Sequence, residues 1–174
     1  IRREIDSILK ALAEETGTCT LDIGELVITG NTVMLSLLTR EDVEPFSHAP
    51  FEAKRLFGET LSAKELGLEL LGPDASVYLP NCISAFVGAD ITMALLHTNI
   101  CRDNKKRLLV DIGTNGEVAL WTGEKLLCCS TAAGPAFEGT GLTMGMTASI
   151  GAISKVFLEH KTNNLAGCEE NCVH

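Results

Sequence analysis

The sequence contains no apolar run of the roughly 18 residues that a membrane-spanning helix requires. It has little clustered positive charge, because the only basic run is residues 105–107 and the net charge is −9. Nucleic acids and anionic lipids are bound through clustered Lys and Arg, so neither is expected as the main partner. The first residues also lack the basic-then-apolar layout of a signal peptide.

The chain has no regular cysteine framework. Its seven Cys form an odd set without repeated spacing, which favours a reducing compartment and predicts a cytoplasmic protein. Cys168, Cys172 and His174 are the soft ligands that lie closest together, and zinc or iron–sulfur ligation is an alternative for them. Their spacing is not Cys-x2-Cys and no fourth ligand lies nearby, so the role of this trio stays open.

Several nucleotide and metalloenzyme motifs are also absent. The sequence has no Gly-x4-Gly-Lys-Ser/Thr and no His-Glu-x-x-His. Gly139, Gly141 and Gly145 break the Gly-x-Gly-x-x-Gly spacing. A nucleotide, if bound, must therefore be held by another kind of phosphate loop.

The first half of the chain predicts short helices and strands. Apolar residues at helical spacing predict a helix over residues 2–16 that ends at Gly17. A buried strand is expected over 25–30, followed by a helix that Asn31 caps. Pro and Gly interrupt residues 40–80, where we expect a loop-rich connection with a short strand at 77–79.

The second half predicts a mixed α/β unit. We expect a helix over 83–98 with Gly88 in its interior, a glycine that often marks close approach of a backbone or a ligand. Three strands joined by tight turns predict an antiparallel meander, and the apolar first strand predicts cover on both faces. We expect these strands at 107–112, 117–122 and 125–130. A last helix is expected around Ile150, Ile153, Val156 and Phe157, followed by a loose tail.

Residues 111–116, Asp-Ile-Gly-Thr-Asn-Gly, have the composition of a phosphate-binding hairpin. Asp111 ends an apolar strand, where its carboxylate can hold the water shell of Mg²⁺. Gly113 and Gly116 permit a left-handed turn whose N–H groups form an anion-binding concavity, and Thr114 and Asn115 add side-chain donors. Asn-Gly between two strands also forms hairpins without any ligand, so both interpretations stay open on these residues alone.

A second glycine-rich stretch, residues 132–139, favours the phosphate interpretation. It contains Gly134, Glu138 and Gly139. Together the two stretches define the candidate site, with Asp111 and Glu138 as the catalytic candidates and Asp111 as the Mg²⁺ ligand through water. The cofactor-binding candidates are Gly113, Thr114, Asn115, Gly116, Gly134 and Gly139.

These two stretches, together with Val-Ile-Thr-Gly-Asn-Thr at 27–32 and Ala-Phe-Val-Gly-Ala-Asp at 85–90, resemble the ATPase domain of the reductive activators of corrinoid proteins. The likeness extends to about residue 157. It implies the actin-like ATPase fold of the acetate and sugar kinase, Hsp70 and actin superfamily, a ribonuclease-H-like α/β architecture that is only partly present here. The expected division is residues 1–80 in a first lobe and its connection, 81–160 in a second lobe, and 161–174 as a loose tail.

The resemblance implies a protein that couples ATP hydrolysis to the one-electron reduction of Co(II) corrinoid to Co(I). ATP and Mg²⁺ would bind the parent protein, a [2Fe–2S] cluster would lie in an N-terminal domain outside this chain, and the corrinoid protein of a methyltransferase system would be the partner. A homodimer is left open.

Parts of the resemblance are missing. The upstream Asp-x-Gly-Thr-Thr loop, the downstream adenosine motif and the ferredoxin-type cysteine cluster are not found. We therefore expect an internal fragment that binds nucleotide weakly or not at all when alone. The alternatives are a small-molecule kinase of the same superfamily, with Glu138 or Asp90 as the substrate-side carboxylate, and a non-catalytic lobe that docks a protein.

Overall fold

The computed structural model describes residues 1–132 and 150–151, together with the backbone of Lys155–Val156 and Cys168–Glu169. The chain divides into two compact units. The first consists of Ile1–Asp111 and Glu117–Ser130, and the second of Ile112–Gly116 with the residues from Thr131 onward. Among the described residues, no helix combines the length and the apolar character needed to cross a bilayer.

Four helices lie in the first unit: α1 (Arg2–Thr16), α2 (Thr32–Thr39), α3 (Ala63–Leu66) and α4 (Ala89–Thr98). Helix α1 is as predicted, because Gly17 adopts a left-handed φ of 67° and its N–H closes the last turn on the Ala13 carbonyl. Helix α2 begins after Asn31, whose side chain accepts from the Met34 N–H, which confirms the predicted cap.

The first sheet contains three short strands, β1 (Glu25–Val27), β2 (Glu59–Ser62) and β3 (Ser76–Leu79), in the order β1-β3-β2. β3 runs parallel to β1 and antiparallel to β2. The prediction of a strand to residue 30 was too long, because β1 ends at Val27. The connection over residues 40–80, which we expected to be rich in loops, contains both β2 and α3. Helix α3 begins with a reciprocal capping box between Ser62 and Glu65.

One face of the first sheet packs against the helices. Val77 and Leu79 point from β3 into this core and are fully buried, while Leu61 and Leu26 flank them from the neighbouring strands. The buried members of this cluster are Leu35, Leu38, Ala63, Leu66, Leu68, Leu71, Ala75, Val77, Leu79, Cys82 and Ala89. The sheet is therefore held by a contiguous apolar core that includes α2 and α3.

The second sheet is the predicted meander. Its strands are β4 (Arg107–Ile112), β5 (Gly116–Trp121) and β6 (Leu126–Thr131), in the order β4-β5-β6. The loops that join them, residues 113–115 and 122–125, are short enough only for antiparallel neighbours.

Cover of this sheet differs from the expectation. Ile91 of α4 and Ala119 of β5 are fully buried, with Leu109 and Cys128 packed against them. The opposite face carries Leu108 and Val110, of which 60% and 50% remain exposed. The prediction that β4 is covered on both faces is therefore wrong for these described residues.

The predicted helix over 83–98 begins six residues late. The N–H groups of Ile83 and Ser84 both donate to the Val87 carbonyl, at 2.8 and 3.0 Å, and close a tight turn before the helix. Gly88 is the N-cap residue of α4 rather than an interior position. Its predicted close approach to another backbone is nevertheless correct, as shown below.

The predicted helix around residues 150–157 is also wrong where the structure describes it. Ile150 lies in a turn, and Gly151 follows with a φ of 94°, a conformation that no α-helix continues. β7 (Lys155–Val156) pairs antiparallel with β8 (Cys168–Glu169). Ile153, Phe157 and the rest of the predicted tail lie outside the described residues.

Candidate functional site

Asp111 lies one residue before the end of β4, as the sequence indicates. The strand places Leu109 on the packed face and leaves the side chain of Asp111 exposed to solvent. An exposed carboxylate at a strand end keeps its hydration and can contact a hydrated cation without a large desolvation cost.

The loop of residues 113–115 has a different internal arrangement from the predicted one. The Gly113 N–H donates to the Asn115 carbonyl at 3.0 Å, and the φ of Gly113 lies outside the left-handed region. A Cβ added to Gly113 would approach the Asn115 carbonyl oxygen to 3.5 Å, an ordinary contact. The expectation that Gly113 is needed for a left-handed turn is therefore wrong in this structure, and its N–H is engaged within the loop.

The remaining loop residues differ in exposure. Thr114 and Asn115 are exposed, whereas Gly116 is buried as the first residue of β5. Gly134, Glu138 and Gly139 lie outside the described residues. Asp111 belongs to the first compact unit, and residues 113–116 to the second. The described residues thus present an exposed carboxylate and, separately, an exposed polar loop.

Three side-chain interactions that were not expected fix the second sheet. The Ser130 hydroxyl donates to the Glu117 carboxylate at 3.0 Å and ties β6 to β5. At the other end of the sheet, Arg107 forms an ion pair with Asp103 at 2.7 Å, and the Trp121 indole N–H donates to the Asp103 carbonyl at 2.6 Å. The hydrogen bond from Arg107 lowers the pKa of Asp103 to about 2.

The backbone segments at the starts of α2 and α4 are in close contact with each other. The N–H of Ala89 donates to the Gly30 carbonyl at 2.9 Å, and the Thr32 hydroxyl donates to the Ser84 carbonyl at 2.6 Å. A Cβ on Gly88 would lie 2.4 Å from the Cα of Asn31. Only glycine fits there, which explains the Gly88 that the sequence singled out.

Asp90 lies beside this contact in the first turn of α4. Its carboxylate accepts from the N–H of Ile91 at 2.8 Å. Burial raises the pKa of the nearby Cys82 thiol, which keeps that side chain protonated and unreactive. These contacts stabilise the first turns of the two helices.

Metal ligands are not clustered in the described part of the chain. Among those residues, no three His, Cys, Asp or Glu side chains lie close enough to hold one ion. Cys168 belongs to β8, while Cys172 and His174 lie outside the described residues. Metal ligation by this trio remains an open alternative.

Comparisons with known proteins identify the class of this fold. Residues 105–169 match the family model described as the C-terminal domain of RACo, the ASKHA domain, which is the actin-like ATPase class. Residues 1–103 match the family model of the RACo middle region. This chain therefore belongs to the RACo family, the reductive activators of corrinoid proteins.

Individual relatives agree with this assignment. The corrinoid activation enzyme RamQ of Eubacterium limosum is 37% identical over 161 residues, which are 92% of this chain and 26% of that protein. The [Co(II) methylated amine-specific corrinoid protein] reductase of Methanosarcina barkeri is 31% identical over 142 residues, 77% of this chain and 26% of that protein.

A solved structure named reductive activator for corrinoid,iron-sulfur protein matches with a TM-score of 0.77 and 34% identity. The match covers 88% of this chain and 24% of that one. The predicted fold class and family resemblance are thereby confirmed. The chain spans about a quarter of the length of the relatives it matches.

Proposed function

We propose that this chain is part of an ATP-dependent reductive activator that returns a Co(II) corrinoid protein to Co(I) for methyl transfer. The observation that carries the proposal is that two RACo family models match consecutive parts of one chain, with relatives named as corrinoid activation and reductase proteins. The reaction in such a protein adds one electron to Co(II). A reduced [2Fe–2S] cluster in another part of the parent protein would lose that electron.

ATP hydrolysis to ADP and phosphate would supply the free energy for this unfavourable electron transfer. In the proposal, Asp111 orients the hydrated Mg²⁺, while Gly113, Thr114, Asn115 and Gly116 contact the phosphates. The exposure of Asp111, Thr114 and Asn115 supports these roles. A phosphate bound by the Gly113 N–H would have to replace its 3.0 Å contact with the Asn115 carbonyl.

The second glycine-rich stretch completes the proposed site. Gly134 and Gly139 would contact the nucleotide, and Glu138 would act in hydrolysis. For the parent protein we further propose a cytoplasmic location and a corrinoid protein as partner. The family supports the partner, the composition of the stretch supports the nucleotide contacts, and the seven Cys without regular spacing support the location.

The test is the substitution Asp111→Asn in the parent protein, with ATP hydrolysis measured as phosphate release. We expect ATP turnover to be abolished while the circular dichroism spectrum is unchanged, because an amide is a poor anchor for hydrated Mg²⁺. Asp22→Asn is a matched control, since Asp22 is an exposed carboxylate in a turn of the same compact unit.

Unchanged hydrolysis in the Asp111→Asn protein would contradict the role given to this residue. Transfer of the phosphate to a sugar or an acyl group, rather than its release into solution, would instead favour the small-molecule kinase. Reduction of Co(II) corrinoid is followed separately by its visible absorption, so loss of ATP hydrolysis and loss of electron transfer can be distinguished.

A further inference from the structure

Three phenylalanines form a partly exposed cluster in the first compact unit. Phe86 lies between the other two, with its ring centroid 6.4 Å from Phe46 and 5.7 Å from Phe51. Phe51 and Phe86 are each 44% exposed. We name Phe46, Phe51 and Phe86 the aromatic surface. Exposed aromatic clusters are the typical centres of protein interfaces, because they bury a large area at low entropic cost.

The loop that carries Phe46 and Phe51 is held in place by internal contacts. Arg55 bridges Glu41 and Glu59 at 3.0 and 2.6 Å, and Lys54 pairs with Asp42 at 2.8 Å. Phe51 has a φ of 57°, a left-handed conformation that a bulky residue adopts rarely. A fixed loop that combines a rare backbone conformation with an exposed ring is found often at binding surfaces.

The charge around the aromatic surface is acidic. Lys54 and Arg55 form the ion pairs just described, and two exposed carboxylates, Glu44 and Glu52, lie within two positions of Phe46 and Phe51 in the sequence. Glu44 lies 3.7 Å from His48 and interacts with Lys54, but residues 41–59 still carry five carboxylates against one Lys and one Arg. A docking partner must therefore offer positive charge around an apolar centre.

This charge pattern selects among possible occupants. Phosphates of nucleic acids and anionic lipid headgroups would be repelled by Glu44 and Glu52. A second copy of the chain would face the same carboxylates across a two-fold axis and bring like charges together. A different protein with Lys or Arg around an apolar side chain fits the surface better than any of these.

We propose that the aromatic surface is where the corrinoid protein docks. This inference rests on the proposed function, which makes a corrinoid protein the partner of the parent protein. Phe51 and Phe86 supply the apolar contact, and Glu44 and Glu52 pair with basic side chains of the partner. The proposal assigns docking to the part of the chain that matches the RACo middle region, residues 1–103.

Calorimetric titration of the 174-residue chain tests the proposal. The probe is the methylated amine-specific corrinoid protein of Methanosarcina barkeri, the substrate in the name of one relative. We expect Phe51→Ala and Phe86→Ala each to raise the Kd about 10- to 100-fold, the range of central interface residues. Glu52→Lys should raise the Kd less and weaken its dependence on salt.

Leu96→Ala is the matched control, because Leu96 on α4 is an apolar side chain with 71% exposure outside the aromatic surface. Its Kd should equal that of the unsubstituted chain, and all variants should keep the same thermal midpoint.

Binding that is equal in all four variants would overturn the docking site and leave the proposed function intact. No binding by the unsubstituted chain would also overturn the docking site, whereas the proposed function is tested separately by ATP hydrolysis in the parent protein. Self-association abolished by Phe51→Ala would make a second copy the occupant and contradict the proposal.

Discussion

The two three-stranded sheets differ in how their two faces are built. In the β1-β3-β2 sheet, Val77 and Leu79 face a contiguous core, while Tyr78 lies on the outer face between Thr60 and the partly exposed Val27. The β4-β5-β6 sheet packs one face on α4, but its outer face carries Leu108, Val110 and Leu127. Both outer faces therefore expose apolar side chains, but the first sheet has much the larger buried core on its inner face.

This difference shows that the number of apolar residues in a set of strands does not determine how many of them are buried. The second sheet is the more apolar by sequence, yet Val87, Ile91 and Ala119 are the only fully packed members of its described core. The first sheet has shorter strands and a larger buried cluster. Stability of the described fold should therefore depend mainly on the first sheet.

The largest expected effect is that of a cavity in the core of the first sheet. Leu79→Ala removes a fully buried side chain and should lower the free energy of unfolding by about 2–5 kcal/mol. Urea denaturation followed by circular dichroism measures this change. Tyr78→Ala on the outer face of the same strand is the control, because Tyr78 is 40% exposed and should cost less. Equal losses in the two variants would contradict the difference between the faces.

The sequence predicted those helices and strands that depend on residues close to one another in the chain. The apolar spacing of α1 and its stop at Gly17 depend only on neighbouring residues, and so does the Asn31 cap. The meander followed from short turns between apolar strands. In contrast, β2 exists because it pairs with β3, whose residues lie well beyond it in the sequence. Nonlocal pairing of this kind leaves little trace in a short segment.

The candidate site was predictable to a similar degree. The position of Asp111 near the end of β4 follows from the apolar run before it. The conformation of Gly113 could not be read from the sequence, because glycine accepts several backbone regions and the loop engages its N–H internally. Gly88 shows the opposite case. Its closeness to Asn31 was signalled by a glycine in an apolar segment, although the start of α4 was misplaced.

A smaller effect is expected from the ion pair that fixes one end of the second sheet. Arg107 holds the pKa of Asp103 at about 2, below the value of about 3.9 for an unfolded chain. The folded state thus favours the charged carboxylate, and its contribution is complete above about pH 4 and lost as the pH falls toward 2. We expect Asp103→Asn to remove this part of the acid sensitivity.

Urea midpoints measured from about pH 6 to about pH 2 for both proteins check this expectation. The stability difference between them should shrink as the pH falls. Asp22→Asn is the control, since Asp22 is exposed and belongs to a turn outside this sheet. An unchanged difference across the whole pH range would show that the Asp103 carboxylate gains nothing from Arg107.

The smallest effect is expected at the outer face of the second sheet, where two adjacent leucines offer a matched pair. Leu108 is 60% exposed, whereas Leu109 packs against the cluster formed by α4 and β5. Leu108→Ala should change the free energy of unfolding of this chain by no more than about 0.5 kcal/mol, as at other surface positions. Leu109→Ala should cost more, because it removes methyl groups from packed surroundings. Both are measured by urea denaturation at the same pH. A loss at Leu108 as large as that at Leu109 would mean that the outer face is covered in solution, and the two sheets would then be equally well packed.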